Sequence, residues 1–321
     1  MNFTRRSVPF NPSTDIPSLQ GKVILVTGGN IGLGKQTVLE YAKHNPALIW
    51  LAARNPTKAQ AAFDDIKSLL PKPCPTTIRL LELDLSSLES VKSAATTVLA
   101  ESTRLDILML NAGIMAVPPG LTSDGYEIQF GTNYLGHILL ARLLTPLLER
   151  TASSSSSSSA SDPPSNPRII LLSSYGHNFT PKPHGIVFSS LRTDGSDLGP
   201  YALYGQSKLA LILWGKEAAK RYPTLTIASV HPGVVQTNLA NGATGSPCWV
   251  QVLGKLAYHV LTGVEQGVRN QLWASVSADV KSGGYYVPVG IEGTESVLAK
   301  DEELAGELWA WTEGEIGRFL G

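Results

Sequence analysis

The sequence predicts a doubly wound α/β fold, in which one mostly parallel sheet of seven strands carries helices on both faces within a single domain. Short runs of aliphatic and β-branched residues alternate with longer helical stretches, as in a parallel sheet with helical crossovers. The first run, Lys22–Thr27, has almost no polar alternation, as expected for a strand buried on both faces. A length of 321 residues suits one large domain of this class.

The elements that support this fold follow one another in chain order. Strands are predicted at Lys22–Thr27, Leu48–Ala53, Thr77–Leu83, Asp106–Leu110, Arg168–Leu172, Thr224–Val230 and Tyr285–Val289. Helices are predicted at Gly32–Lys43, Pro56–Leu70, Leu88–Glu101, Ser123–Glu149 and Tyr201–Arg221. We expect residues 1–20 to form an N-terminal extension and residues 21–321 to form the domain.

Two segments interrupt the alternation of strands and helices. Residues 151–167 contain seven consecutive serines, which favours a flexible surface loop. A regulatory or glycosylated tract is the alternative to a tolerated insertion, which is favoured because loop closure costs little entropy. The second segment, 238–265, has apolar residues at helical spacing over 238–262. It could be core, a membrane-facing patch, or a substrate-side lid over a lipophilic molecule.

Charge and cysteine content limit the partners of the chain. Lysine plus arginine and aspartate plus glutamate both number 26, so the formal charge of +0 leaves no electrostatic attraction for nucleic acid. The two cysteines, Cys74 and Cys248, have neither metal-ligand nor disulfide-framework spacing, which fits a reducing, cytoplasmic location. No signal peptide or membrane-spanning run is evident. We therefore expect a small-molecule substrate and no metal.

A glycine-rich turn, Thr27-Gly28-Gly29-Asn30-Ile31-Gly32-Leu33-Gly34, follows the first strand and opens the first helix. Glycines at this place let the backbone approach a pyrophosphate at the N-terminus of the helix. A tight turn without a ligand is the alternative, but the position between strand and helix favours a dinucleotide site. No Gly-Lys-Ser/Thr follows, which disfavours a nucleoside-triphosphate site.

The residues after the second predicted strand bear on the choice of dinucleotide. NAD-specific sites usually place a carboxylate there for the ribose 2′-hydroxyl. Ala53 and Arg54 occupy that place here, and an arginine can pair with a 2′-phosphate. We expect NADP, with NADPH preferred, and Asn55 and Lys58 as further contacts. A solvated surface arginine is the alternative.

Tyr204 and Lys208 lie four residues apart on a predicted helix, so their side chains share one face. A free phenol has a pKa of about 10, which a nearby ammonium is expected to lower. Ser174 follows a buried strand at the carboxyl edge of the sheet, where open α/β sheets place ligands. Strand alternation points its neighbour Ser173 elsewhere.

Taken in order, these motifs resemble the short-chain dehydrogenase/reductase family over about Gly21 to Thr237. The resemblance implies a Rossmann fold and a catalytic set of Asn133, Ser174, Tyr204 and Lys208. In that family the serine binds the substrate oxygen and the asparagine holds a water that relays a proton behind the lysine.

The resemblance also implies a cofactor site. Asp84, with Leu85, would contact the adenine, or Asp84 would serve as a helix N-terminal aspartate; Val235 and Thr237 would lie near the nicotinamide carboxamide. The implied cofactor-binding residues are Thr27, Gly28, Asn30, Ile31, Gly32, Leu33, Gly34, Arg54, Asp84, Leu85, Asn111, Ala112, Gly113, Tyr204, Lys208, Pro232, Gly233, Val235 and Thr237. His137 is expected to be a packing residue, and His231 is expected to shape the turn that it opens.

Within the family, Asn30, Arg54, the run Asn133–His137 and His231-Pro232-Gly233 resemble the retinol-dehydrogenase-like and WW-domain-oxidoreductase-like branch. The tail Gly283–Gly290 is similar to fungal members of that branch. The resemblance implies an NADP(H)-dependent oxidoreductase that interconverts a carbonyl and a primary or secondary alcohol on a small, lipophilic substrate. Reduction of an imine, assistance to a cyclisation, and NADP binding without turnover remain alternatives.

Family members often pair through their long helices to give a homodimer or a tetramer, but the serine-rich segment follows one such helix and could hinder pairing, so the sequence leaves the oligomeric state open. The interval between Ser174 and Tyr204 is longer than in the shortest members. We expect its extra residues, Tyr175–Pro200, to form a flap on the substrate side.

Overall fold

The sheet of the computed structural model, which describes residues 6–155, 166–235, 243–245 and 262–321, contains eight strands. They are β1 (Val23–Thr27), β2 (Leu48–Ala53), β3 (Thr77–Glu82), β4 (Ile107–Leu110), β5 (Arg168–Leu172), β6 (Thr226–Val230), β7 (Tyr285–Val287) and β8 (Ile291–Glu292). Their order is β3-β2-β1-β4-β5-β6-β7-β8. Strands β1 to β7 pair in parallel, and β8 pairs antiparallel to β7. The predicted fold class is confirmed, with one strand more than expected.

The helices pack on both faces of this sheet. They are α1 (Pro12–Asp15), α2 (Gly32–Ala42), α3 (Pro56–Leu69), α4 (Leu88–Glu101), α5 (Ile128–Phe130), α6 (Gly136–Ser155), α7 (Pro200–Arg221), α8 (Val264–Gly267), α9 (Arg269–Val276) and α10 (Glu302–Leu320). Short 3₁₀ turns occur at Tyr175–Asn178, Phe188–Ser190 and Leu298–Lys300, and a π-helical turn joins α5 to α6 at Gly131–Leu135.

Two hydrophobic cores result from the alternation of side chains along the strands. In β1, Leu25 packs in the core beneath α4, α6, α7 and α10, whereas Ile24 and Val26 pack in the core beneath α2, α3 and α9. All three side chains are fully buried. The two cores explain why the sequence of β1 is apolar on both faces.

The order of the strands reverses between β1 and β4, because β1 lies beside β2 on one side and β4 on the other. In an open α/β sheet this topological switch point leaves a crevice at the carboxyl ends of the strands. The glycine-rich turn after β1 and the Asn111-Ala112-Gly113 turn after β4 both lie there. The fold therefore brings two sequence motifs to one cleft.

Several elements differ from the predictions. The predicted helix Ser123–Glu149 begins only at Ile128, contains the π-helical turn and continues to Ser155. The first residues of the serine-rich segment are thus helical, while 156–165 lie outside the described residues. Most of the predicted segment 238–265 also lies outside them. The C-terminal helix α10 was not predicted.

Within the described ranges, no helix is both long and apolar enough to cross a membrane. The same ranges contain no group of three or more histidine, cysteine, aspartate or glutamate side chains that could hold a metal ion. Cys74 is a free thiol; Cys248 lies outside the description. Val8 and Phe10 pack on the domain, since the Val8 amide donates to the Val289 carbonyl at 2.8 Å and Phe10 is buried.

Candidate active site

The two turns at the switch point are tied together by Thr27 beneath the cleft. Its hydroxyl oxygen accepts hydrogen bonds from the Asn111 amide at 2.9 Å and from the Ala112 amide at 3.0 Å. The Asn111 side chain returns a bond to the Thr27 carbonyl at 2.9 Å. Thr27 is fully buried, so the structure places it as a brace behind the cleft surface rather than on it.

The glycines of the turn are required by its geometry. Gly28 and Gly32 have φ of +65° and +52°, in the left-handed region that favours glycine. A Cβ on Gly34 would lie 2.2 Å from the Gly28 carbonyl oxygen. Helix α2 then begins at Gly32 without a side-chain cap, which leaves backbone N–H groups of its first turn for an anion. These residues fit the diphosphate of a dinucleotide.

A surface cleft of about 270 Å³ adjoins this turn. It is lined by Asn30, Ile31, Lys35, Lys58, Ala61 and Ala62. Lys35 is paired with Asp65, whereas Arg54 and Lys58 have no carboxylate partner within the described part of the chain. Arg54 and Lys58 are both exposed. Asn55 instead caps α3, its side-chain oxygen accepting from the Lys58 amide at 2.9 Å.

Asp84 and Leu85 follow β3, at the same carboxyl edge of the sheet as the turns after β1 and β4. One oxygen of the Asp84 carboxylate accepts from the Ser86 amide at 2.9 Å and from the Ser86 hydroxyl at 2.6 Å. The N-cap of α4 is Ser87, so Asp84 is not the helix cap that was its alternative role. Leu85 is buried, and its carbonyl would lie 2.3 Å from a Cβ on Gly136. The absence of a side chain at Gly136 therefore lets the loop after β3 pack closely against α6.

Asn133 lies in the π-helical turn and is fully buried. Its side-chain oxygen accepts from the Ile114 amide at 2.8 Å, and its amide group donates to the Ile114 carbonyl and to the Ser207 hydroxyl, both at 2.9 Å. Both amide hydrogens are therefore used. A water held by Asn133 would bind its backbone carbonyl rather than its side-chain amide.

The backbone carbonyl of Asn133 already accepts one hydrogen bond, from His137 Nδ1 at 2.9 Å. The other ring nitrogen of His137 lies 2.9 Å from the Thr27 hydroxyl. Burial lowers the pKa of His137 to about 3, so the ring is neutral and bridges the two groups. His137 was expected to pack; it also braces Asn133 against the cofactor turn.

Tyr204 and Lys208 project from one face of α7 and are buried, each with 4 % exposure. The Lys208 ammonium donates to the Leu172 carbonyl at 2.7 Å and lies 5.7 Å from the centre of the Tyr204 ring. A Cβ on Gly113 would lie 3.4 Å from Lys208 Nζ and 3.2 Å from the Asn133 oxygen. The turn after β4 thus meets two of the predicted catalytic residues.

Burial decides the protonation of the pair. Burial raises the pKa of Tyr204 to about 12, only partly offset by the facing Ser174 hydroxyl. Burial also lowers the pKa of Lys208 to about 7. The expectation that Lys208 lowers the pKa of Tyr204 is therefore wrong for the protein alone, because desolvation of the phenolate is the dominant effect. Tyr204 is a neutral phenol at pH 7.

Ser174 and Ser173 point in opposite directions from the end of β5, as strand alternation predicts. The Ser173 hydroxyl is buried and donates to the Lys208 carbonyl at 2.8 Å. The Ser174 hydroxyl oxygen accepts from the Gly176 amide at 3.0 Å and is half-buried. A Cβ on Gly176 would lie 2.7 Å from the Tyr204 ring. The turn after Ser174 therefore packs directly on Tyr204.

The turn after β6 closes the far side of the site. Gly233 has φ of +92°, and Val235 forms a single parallel bridge with Thr262. Asn270 on α9 is fully buried; its amide group donates to the His231 carbonyl at 2.7 Å and to the Tyr286 carbonyl at 3.0 Å. The pKa of His231 is lowered to about 4 by burial, in keeping with a role in shaping the turn. Thr237 lies outside the described residues.

Four residues of the site were missed by sequence reasoning: Gly176, His177, Ser207 and Asn270. The sequence does offer a signal for two of them, since Gly176 follows Ser174 by two residues and Ser207 lies between Tyr204 and Lys208. The contacts of His177 and Asn270 join segments far apart in the chain. The predicted flap, Tyr175–Pro200, leaves Tyr175 and Phe179 exposed beside Ser174, while Ile186 and Leu191 are buried.

Known proteins resemble this chain in sequence and in fold. The chain is 40% identical over 313 residues to the short-chain dehydrogenase/reductase drtF of Aspergillus calidoustus, covering 94% of this chain and 95% of that protein. Residues 22–159 also match the short chain dehydrogenase family profile. The chain belongs to the short-chain dehydrogenase/reductase family. It is an oxidoreductase of a family that binds a nicotinamide cofactor.

Other relatives of this short-chain dehydrogenase/reductase agree with the predicted branch. Human retinol dehydrogenase 13 is 35% identical over 311 residues, covering 95% of this chain and 86% of that protein. A solved structure from Mycobacterium paratuberculosis superimposes with a TM-score of 0.71 and 29% identity, covering 96% of this chain and 98% of that one. The retinol-dehydrogenase-like branch predicted from the motifs is confirmed.

Proposed function

We propose that this short-chain dehydrogenase/reductase reduces the carbonyl group of a small apolar substrate with NADPH, and that Tyr204 is the proton donor. The observation that carries the proposal is the neutral, buried Tyr204 phenol between the Ser174 hydroxyl and the Lys208 ammonium. A phenol with a pKa of about 12 holds its proton at pH 7, which is the state that reduction of a carbonyl requires. The bound nicotinamide supplies the hydride.

Ser174 and Tyr204 would bind the same substrate oxygen. The Ser174 oxygen accepts from the Gly176 amide, so its hydroxyl hydrogen, on the side that faces Tyr204, would be the donor to a substrate carbonyl. Tyr204 donates its proton to that oxygen as negative charge develops there. Two fixed donors on one oxygen both orient the carbonyl and stabilise the alkoxide character of the transition state.

Lys208 would favour the phenolate that remains after proton transfer. Its ammonium is held by the Leu172 carbonyl and lies beside the Tyr204 ring. A positive charge in this buried place is worth more than at the surface, since little solvent screens it. The Asn133 carbonyl, which accepts from His137 Nδ1, would hold a water for return of the proton.

The charges around the cleft support NADP over NAD. Arg54 and Lys58 are exposed cations without a carboxylate partner in the described ranges, and Lys58 lines the cleft next to Asn30. A 2′-phosphate would supply the missing negative charge, and an arginine can bind it with two parallel hydrogen bonds. We assign Arg54 as the main contact and Lys58 as a second one.

Cofactor preference and turnover can be tested together. The Kd values for NADPH and NADH are measured for wild type, Arg54→Glu and the control Lys182→Glu. With each cofactor, turnover is measured on a panel of aldehydes and ketones that includes retinaldehyde and acetophenone. Loss of a charge-assisted pair and a new repulsion should raise the Kd for NADPH about a hundredfold while that for NADH changes little. Equal preference for the two cofactors in the wild type would refute the NADP assignment.

The apolar nature of the substrate is supported by the surface beside Ser174. Tyr175 and Phe179 are 60% and 53% exposed, and their rings pack edge to face with centres 6.2 Å apart. Exposed aromatic rings at the mouth of a site favour an apolar or aromatic ligand. Turnover of imines, or NADPH binding without turnover of any carbonyl, would show that one of the alternative functions holds.

A further inference from the structure

The turn that carries Ser174 is held by a histidine that the mechanism above does not use. Residues Tyr175–Asn178 form a 3₁₀ turn with Ser174 as its N-cap. Within it, the His177 side chain folds back so that Nδ1 donates to the Ser174 carbonyl at 2.7 Å. The His177 backbone amide donates to the same carbonyl at 3.1 Å. The Ser174 carbonyl thus accepts two hydrogen bonds from one residue.

The second ring nitrogen of His177 reaches a distant segment. Nε2 accepts from the Ser296 amide at 3.1 Å, across 119 positions of the chain. Since a backbone amide can only donate and a carbonyl can only accept, the contacts require the tautomer with hydrogen on Nδ1. The imidazole therefore serves as a donor to the serine turn and as an acceptor from the loop after β8.

The surroundings of His177 keep the ring neutral and fixed. The residue is 1% exposed, and its ring packs edge to face on Tyr285 with centres 5.2 Å apart. Burial lowers the pKa of His177, although Glu295 nearby acts in the opposite direction. Glu295 itself is paired with Lys216 at 3.0 Å, so its charge is balanced.

A shift of His177 would reach the reacting groups by a short route. The Ser174 hydroxyl is set by the Gly176 amide, and Gly176 packs on the Tyr204 ring with no room for a Cβ. One four-residue turn therefore fixes three groups. It binds the Ser174 carbonyl, it donates to the Ser174 hydroxyl, and it packs on the Tyr204 ring. A displacement of reacting groups by about 1 Å can cost about a hundredfold in rate.

We propose that His177 is a positioning residue for the reaction, which ties the Ser174 carbonyl to the Ser296 amide and so holds the Ser174 hydroxyl opposite Tyr204. The inference rests on the proposed function, because it assumes that Ser174 binds the substrate oxygen. It assigns to His177 no proton transfer and no contact with substrate. The Nδ1 bond to Ser174 is the part that acts on the reaction.

Two substitutions separate the two bonds of His177. An asparagine places its amide where Nδ1 lies and can donate to the Ser174 carbonyl, whereas a glutamine places its oxygen where Nε2 lies and can accept from the Ser296 amide. We expect His177→Gln to lower kcat about thirtyfold and His177→Asn about threefold, by the cost of misplacing a reacting group. The Kd for NADPH should not change in either variant.

A double-mutant cycle with Ser174→Ala distinguishes positioning from general stabilisation. Once the serine hydroxyl is gone, His177→Gln should lower kcat less than about twofold further. Turnover is measured as consumption of NADPH on the carbonyl compound that the wild type reduces fastest. An equal loss in both backgrounds, or a larger loss in His177→Asn than in His177→Gln, would overturn the inference. Wild-type turnover by Ser174→Ala would overturn the proposed function as well.

A measurement on the wild type alone covers the case in which His177→Gln does not fold. Long-range ¹H–¹⁵N NMR of histidine-labelled protein reports the tautomer of each imidazole, and the His177→Asn spectrum assigns the signal. A neutral ring with hydrogen on Nδ1 is expected. A charged ring, or hydrogen on Nε2, would contradict the bonds from which the role of His177 is inferred.

Discussion

Gly176→Ala tests how closely the position of Tyr204 controls turnover. The added Cβ would lie 2.7 Å from one carbon of the Tyr204 ring and 2.9 Å from the next, whereas ordinary contacts begin at 3.4 Å. The ring edge must therefore retreat by about 0.7 Å. Because Tyr204 is buried, the shift moves the phenol relative to Ser174 rather than into solvent.

The expected loss follows from that displacement. A shift somewhat below 1 Å should lower kcat between about tenfold and a hundredfold. Crowding of a packed site should cost about 1–3 kcal/mol in the free energy of unfolding. The Kd for NADPH should change far less than kcat, since Gly176 belongs to the turn after Ser174 and not to the glycine-rich turn after β1.

The assay compares kcat, the Kd for NADPH and urea unfolding of Gly176→Ala with those of Gly314→Ala. Gly314 lies in α10, and a Cβ there meets no atom within 4 Å. Its substitution should stabilise the protein by about 0.5–1 kcal/mol and leave kcat unchanged. Wild-type kcat in Gly176→Ala would refute the claim that the turn after Ser174 fixes Tyr204.

Two further predictions concern buried polar groups. Burial raises the pKa of Glu127 to about 7, so its carboxyl favours the folded state most below pH 4.5, and this contribution is lost as the pH rises to about 7. Between pH 5 and pH 8, the free energy of unfolding of wild type should fall by about 2.5 kcal/mol relative to that of Glu127→Gln in urea unfolding. An equal pH dependence of the two proteins would refute this, and Glu303→Gln, at an exposed position, is the control. Asn270→Leu should lower the free energy of unfolding by about 2–4 kcal/mol, because the His231 and Tyr286 carbonyls lose a buried donor. An effect no larger than that of exposed Gln266→Leu would contradict it.

Most of the inner strands were predictable because their sequences are apolar on both faces, as in β1, β4 and β5. The predicted bounds of the second and fifth strands, Leu48–Ala53 and Arg168–Leu172, are those of β2 and β5. The two-residue strand β8 carries no such pattern, since it is too short for a periodicity to show. The eighth strand is therefore a product of tertiary pairing with β7.

The helix α10 shows where local sequence gives little guidance. It contains Gly306, Gly314 and Gly317, which lower the intrinsic propensity for a helix. Its stability comes instead from tertiary packing, including Trp309 stacked on Trp214 with ring centres 5.9 Å apart. Contacts between segments so far apart in the chain cannot be derived from a local pattern.

The candidate site divides in the same way. Motifs along the chain indicated Asn133, Ser174, Tyr204 and Lys208, and the fold brings all four close together. What orients them lies elsewhere in the sequence, as the bond between His177 and Ser296 shows. The direction of the pKa shift of Tyr204 was mispredicted, because the sequence shows the neighbouring lysine but not the depth of burial.

The central claim is that Tyr204 gives a proton to a substrate carbonyl, and Tyr204→Phe tests it most directly. Phenylalanine keeps the ring that packs on Gly176 and removes only the hydroxyl. With the carbonyl compound that the wild type reduces fastest and saturating NADPH, kcat should fall by at least about a hundredfold, far more than any change in the Kd for NADPH. Wild-type turnover by Tyr204→Phe would contradict the account.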